Sequence, residues 1–216
     1  MTILCIEGPS AVGKTTVCRV LEDEHGFVRI AEVNEHFVRG PHEPPFWYFE
    51  RQVERWRMAQ TISSAGGIAL LDGDALQPLW YNWIFSQDAA QSMPDTLAFY
   101  RTQIEHGSLG LPDRYFVLMS SEDALRARKA ADASRSRRNF DRHLQLVAPQ
   151  LAYFRAVQDT APDRVRFLQA DDVRQTADAI AREALAAPRD ESSARAFETM
   201  ATFVSGTHPS PCRRLP

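Results

Sequence analysis

Gly8-Pro9-Ser10-Ala11-Val12-Gly13-Lys14-Thr15 sets two glycines, a lysine and a hydroxyl residue at the spacing G-x-x-x-x-G-K-[ST]. Each residue type meets a need of a bound polyphosphate. Gly8 and Gly13 let the backbone curl, so that the N–H groups from Ser10 through Ala11, Val12 and Gly13 to Thr16 can point at phosphate oxygens. Lys14 carries a charged donor to the β- and γ-phosphates, and the Thr15 hydroxyl is of the kind that ligates Mg²⁺. The expected cofactors are therefore ATP and Mg²⁺.

Two carboxylates stand where such a cradle can use them. Asp72 follows the apolar run Ile68-Ala69-Leu70-Leu71 and is the expected Mg²⁺ carboxylate, binding directly or through water. Asp74 lies two residues on and reads as a cap of the next helix or a second metal carboxylate. Glu32 closes the stretch Phe27-Val28-Arg29-Ile30-Ala31, with Glu35 close behind. Glu32 is the expected general base toward an acceptor hydroxyl, and Asp72 is its rival for that role.

Positive charge is concentrated in 126–142, which holds seven Arg or Lys and two Asp. Such a run is either a solvated face or a set of arginines for the charge that spreads over a transferring phosphoryl group. Arg128, Arg135 and Arg137 are the candidates to touch phosphate. Aromatic residues gather in Phe46, Trp47, Tyr48, Phe49 and Trp56, then in Trp80, Tyr81, Trp83 and Phe85, which include all four tryptophans. Trp80, Tyr81 and Trp83 cannot all face one way on a helix, so part of this set should line a cleft for a flat or bulky acceptor. His36, His42, His106 and His143 have no metal-site spacing, and Cys5, Cys18 and Cys212 have no redox or metal spacing.

The elements that must hold these residues are legible as apolar runs and periodic stretches. Strands are expected over 2–7, 27–31, 68–71, 115–119 and 165–168, and helices over 14–24, 46–64 and 173–187. Residues 76–106 read as helical with a break near Pro94, 40–45 as a loop, and two helical segments flank the basic stretch. Strands alternating with helices predict an α/β fold, a five-stranded parallel sheet with helices on both faces. The domain should span 1–187, and 188–216 should form a poorly ordered C-terminal tail.

Bulk properties narrow the setting. The 216 residues, 44% hydrophobic and 25% charged, suit one α/β domain with a well-buried core. A net charge of −3 gives no global basic field for nucleic acid or an anionic membrane. No apolar stretch approaches the ~20 residues of a bilayer span, and no basic region leads into a long apolar run at the start. A cytoplasmic enzyme with a small-molecule acceptor is expected, with a homodimer left open.

Ile6-Glu7-Gly8 leading into Gly13-Lys14-Thr15-Thr16 resembles the opening of thymidylate kinase and the deoxynucleoside kinases. In the latter a glutamate at the end of the second strand acts on the substrate hydroxyl, and Glu32 matches it. That family also carries an Asp/Glu-Arg pair after the third strand, where this chain reads Asp72-Gly73-Asp74 without the arginine. The basic groups Arg126-Ala127-Arg128-Lys129 and Arg135-Ser136-Arg137-Arg138 resemble the two sides of the family's arginine lid. Chloramphenicol phosphotransferase-like kinases share the scaffold. The resemblance covers 2–187 in layout and implies a P-loop kinase fold with a basic lid at about 126–142, and ATP-dependent phosphorylation of a nucleoside-like, nucleotide-like or antibiotic-like acceptor. The competing classes are a nucleotide-hydrolysing switch and a nucleotide-binding regulatory protein. The chain has no N/T-K-x-D guanine-reading motif, which disfavours a GTPase.

Overall fold

Alternate residues of the first strand feed two different cores. Ile3 and Cys5 belong to one buried cluster, Leu4 and Ile6 to the other, as the two-residue period of a strand covered on both faces requires. In the computed structural model, which describes residues 2–132, 139–184 and 193–209, this strand is β1 (Thr2–Glu7). It is followed by α1 (Lys14–His25), β2 (Val28–Ile30), α2 (Val33–His36), α3 (Trp47–Ser64) and β3 (Ile68–Asp72). Then come α4 (Gln77–Ile84), α5 (Met93–Glu105), β4 (Arg114–Met119), α6 (Glu122–Ala131) and α7 (Phe140–Leu144). The remaining elements are α8 (Val147–Thr160), β5 (Val165–Gln169), α9 (Val173–Ala184) and α10 (Ser193–Gly206).

The five strands form one sheet in the order β2-β3-β1-β4-β5, every pairing parallel. Parallel neighbours need crossovers, and helices supply them on both faces, as expected. On one face α3, α5, α8 and α10 contribute Trp56, Tyr100, Phe154 and Phe197; on the other α1, α6 and α9 contribute Leu21, Leu125 and Ile180. Parallel pairing brings the carboxyl ends of β1, β2 and β3 to one edge. Ile6 lies opposite Asp72, and Ile30 opposite Leu71. That edge is where open α/β sheets bind ligands.

The break expected near Pro94 is the loop between α4 and α5, and Pro94 itself sits in the first turn of α5, capped by Ser92 Oγ accepting from Asp95 N. One expectation needs correction. Residues 193–206, assigned to the poorly ordered tail, form α10, which buries Phe197, Met200 and Val204 against α5 and α8. The rest of that expected tail, 188–192 and 210–216, lies outside the described residues. Among the described residues no helix is long and apolar enough to cross a membrane.

Candidate active site

The Gly8–Thr15 motif follows directly from β1. Gly8 adopts φ +144°, and a Cβ there would lie 2.5 Å from the Leu118 carbonyl oxygen, so only glycine fits against β4. Ala11 and Gly13 also have positive φ, 68° and 105°, and these reversals curl the loop. Gly13 is the N-cap of α1 and provides no side-chain cap, so the first-turn amides are left for an anion, reinforced by the helix dipole. Gly8, Ser10, Ala11, Val12, Gly13, Lys14, Thr15 and Thr16 all line one large cleft.

Lys14 is folded back on its own loop. Its Nζ donates to Gly8 O at 2.8 Å and Pro9 O at 3.5 Å, and lies 3.9 Å from Glu7 Oε1. Burial alone would lower the pKa of this ammonium, but Glu7, Glu32 and Asp72 outweigh it and the net shift is upward. Glu7 is buried at the root of the loop. Its Oε1 accepts from Gly8 N (2.8 Å) and Gln150 Nε2 (3.3 Å), and its Oε2 accepts from Asp74 N (2.9 Å). Burial raises the Glu7 carboxyl, against the opposing pull of Lys14 and the two amides.

Asp72 ends β3 fully buried and lines the same cleft. Its Oδ2 accepts from Arg29 Nε (3.0 Å) and Nη2 (2.7 Å), while Oδ1 is buried without a protein partner. With the Thr15 hydroxyl this gives hard oxygen donors, the type Mg²⁺ prefers, and Mg²⁺ takes few protein ligands because it retains water and phosphate oxygens. Glu32 is the N-cap residue of α2 and also lines the cleft. A Cβ on Gly73, at φ +86°, would lie 3.6 Å from Glu32 Cγ, so the glutamate side chain lies over the turn leaving β3. Asp74 is not part of the cleft lining. Its Oδ1 accepts from Leu76 N (3.0 Å) and Tyr115 OH (3.1 Å), and burial pushes its carboxyl up to about 7.

Arg55 from α3 joins the two strand ends that carry Glu32 and Asp72. Its Nε donates to Ala31 O at 2.7 Å, and its Nη2 to Asp72 O at 2.7 Å and Gly73 O at 3.0 Å. Arg128 grips the loop from the other side, donating to Val12 O at 3.1 Å and Ala170 O at 2.5 Å. Arg126 spans from Glu122 on α6 to Asp141 on α7. Arg142 holds Asp88 at 2.7 Å and lies 4.2 Å over the Phe85 ring. Arg135 and Arg137 lie outside the described residues.

The aromatic set divides by depth. Trp56, Trp80 and Trp83 are core residues, whereas Trp47, Tyr48, Tyr81 and Phe85 are partly exposed. These four, with Trp80, line the same cleft as the P-loop motif, and there Tyr48 OH donates to Gln77 Oε1 at 2.8 Å. The cleft volume is about 1350 Å³. That exceeds the ~300–1,000 Å³ of an ordinary single-ligand pocket, and leaves room for a donor and an acceptor together.

Sequence reasoning assigned no role to Glu7, Arg29, Arg55, Gln77 or His143, the last of which also lines the cleft. Only Glu7 had a local signal, its place one residue before the cradle. Burial, with Lys14 and Arg142 nearby, lowers the His143 pKa.

No family model matches the sequence, and no curated protein does. Solved structures do match. The deoxyadenosine kinase from M. mycoides with bound dATP aligns at TM-score 0.55 and 14% identity, covering 84% of this chain and 98% of that one. The same enzyme with bound dCTP aligns at TM-score 0.54 and 15% identity, covering 86% and 100%. At that identity the likeness is one of fold. Five parallel strands with flanking helices and a P-loop at the end of β1 make this the P-loop fold of the deoxynucleoside kinases.

Proposed function

We propose that this protein transfers the γ-phosphoryl group of ATP, with Mg²⁺, to a hydroxyl or phosphate of a small nucleoside-like, nucleotide-like or antibiotic-like acceptor. The observation that carries the reading is the continuity of the cleft. The P-loop motif residues and Trp47, Tyr48, Tyr81 and Phe85 line one cavity, with Glu32 and Asp72 also in its lining. A hydrolase needs only a water beside the γ-phosphate, and has no use for an aromatic compartment of that size. The fold neighbours, determined with dATP and dCTP, support a nucleotide as one occupant.

For a hydroxyl acceptor the residues divide the work as follows. Backbone amides of the cradle and Lys14 hold and neutralise the polyphosphate. Thr15 and Asp72 Oδ1 would hold Mg²⁺, which screens charge on the phosphates when bound. Glu32 takes the hydroxyl proton as the acceptor oxygen bonds to the γ-phosphorus; the bond from that phosphorus to the bridging oxygen breaks and ADP leaves. Trp47, Tyr48, Tyr81 and Phe85 wall the acceptor, with Gln77 oriented by Tyr48. Arg135 and Arg137 are proposed to close on the transferring phosphate, and Arg128 acts through the loop it grips.

The test compares two carboxamide substitutions. Glu32→Gln should lower kcat by roughly 10²-fold or more with ATP binding little changed, the usual contribution of a positioned base. Asp72→Asn should weaken the dependence on Mg²⁺ as well as the rate. A Glu32→Gln enzyme with wild-type kcat, beside an inactive Asp72→Asn enzyme at saturating Mg²⁺, would move the base role to Asp72.

A further inference from the structure

We infer that Arg29 is a positioning residue that fixes the Asp72 carboxylate for a divalent cation and ties it to the turn bearing Glu32, an inference that rests on the function proposed above. A fully buried carboxylate needs a compensating charge, and the guanidinium of Arg29 supplies it. Both side-chain hydrogen bonds to Asp72 fall on Oδ2, at 3.0 and 2.7 Å, from adjacent nitrogens of that guanidinium. The carboxylate is thereby held in one rotation, and the oxygen left over is the buried, unpartnered Oδ1 of a cleft-lining residue. Second ligands that orient a metal carboxylate act in this way.

The same guanidinium reaches the other carboxylate element. Arg29 Nη1 donates to Glu35 Oε1 at 3.0 Å, and Nη2 to Glu35 Oε2 at 2.7 Å. Glu35 lies in the first turn of α2, and its amide donates to Glu32 O at 2.9 Å. Arg19 Nη2 on α1 adds a longer contact, 3.8 Å from Glu35 Oε1. β2 is only three residues long, so its ladder to β3 does little to set α2 against Asp72. Arg29 makes that link through a rigid planar fork touching two acids at once, which a lysine cannot reproduce. The competing explanation is an ion pair that merely fastens β2 to the sheet.

The experiment measures Mn²⁺ binding by electron paramagnetic resonance with a non-hydrolysable ATP analogue present, alongside thermal melting, for wild type, Arg29→Ala and Arg29→Lys. In Arg29→Ala the Mn²⁺ affinity should fall by ~10–100-fold, the usual loss when a metal ligand's partner is removed, while metal-free binding of the analogue is unchanged. Arg29→Lys keeps the charge but not the fork, and should lose about tenfold, at the lower end of that range. Should the alanine variant not fold, the lysine variant carries the test. A lowered melting temperature with wild-type Mn²⁺ affinity would make Arg29 a fold-stabilising ion pair and overturn the inference. Failure of wild type itself to bind Mn²⁺ with the analogue would overturn the proposed phosphoryl transfer, and this inference with it.

Discussion

At the scale of single residues, the site gathers acids around one lysine. Glu7, Glu32 and Asp72 each act on Lys14, and Asp74 lies behind them, out of the cleft. Asp74 is where this crowding has a measurable consequence for stability. Burial lifts its carboxyl from an ordinary 3.8 to about 7, so the folded protein favours the neutral form. The resulting stabilisation is complete below the unfolded value and is lost as pH rises through the folded one. Asp74 should therefore contribute a decline in melting temperature between about pH 4 and pH 7, and Asp74→Asn, which cannot ionise, should lack that contribution, so the two melting curves diverge with pH. Glu7, also raised by burial, leaves a residual slope of the same sign in both proteins. Parallel melting curves would remove Asp74 as the titrating group. The motif itself was legible because its residues are contiguous, from Gly8 to Thr16. Arg29 and Arg55 were not legible, because their partners lie 43 and 17 residues away in Asp72 and only folding brings them together. Conversely, Arg128 was expected at phosphate, and its guanidinium holds loop carbonyls, which charge patterning cannot distinguish.

At the scale of elements, buried parallel strands announce themselves as apolar runs, and all five were readable to within two residues at each end. The four-residue α2 was not, because it is too short for a periodic signal. The omission of α10 had a different cause. Its apolar residues Ala196, Phe197, Met200, Ala201 and Val204 do follow helical spacing, but a Pro- and Ser-rich sequence flanks them and hides the pattern. Phe197 is 1% exposed and lies 6.2 Å from the Tyr100 ring, and Trp83 Nε1 donates to Thr207 O just past the helix. Phe197→Ala should cost ~3–5 kcal/mol in urea unfolding, as deletion of a buried aromatic side chain does. Binding of an ATP analogue below the melting temperature should be retained, because Phe197 is not among the residues lining the cleft. A cost under ~0.5 kcal/mol, the range of surface substitutions, would mean that α10 does not pack as described.

At the scale of the molecule, the sheet delivers the carboxyl ends of β1, β2 and β3 to one edge, and α3 and α4 wall the space beyond it with aromatic residues. The α/β class, the parallel sheet and the cradle could all be read from periodicity and one motif, and the fold neighbours agree with that reading. Acceptor identity could not, because it depends on which faces of Trp47, Tyr48, Gln77 and Tyr81 meet across a cleft built from two helices. The cavity is proposed to serve a donor and an acceptor in one reaction. The most direct test is ADP release by purified protein with ATP and Mg²⁺, first alone and then with pooled nucleosides and hydroxylated metabolites, with products identified by mass spectrometry. ADP release should rise with acceptor and be matched mole for mole by a phosphorylated acceptor. ADP released at the same rate with and without the pool, as free phosphate accumulates, would contradict that proposal and make the protein a nucleotide hydrolase.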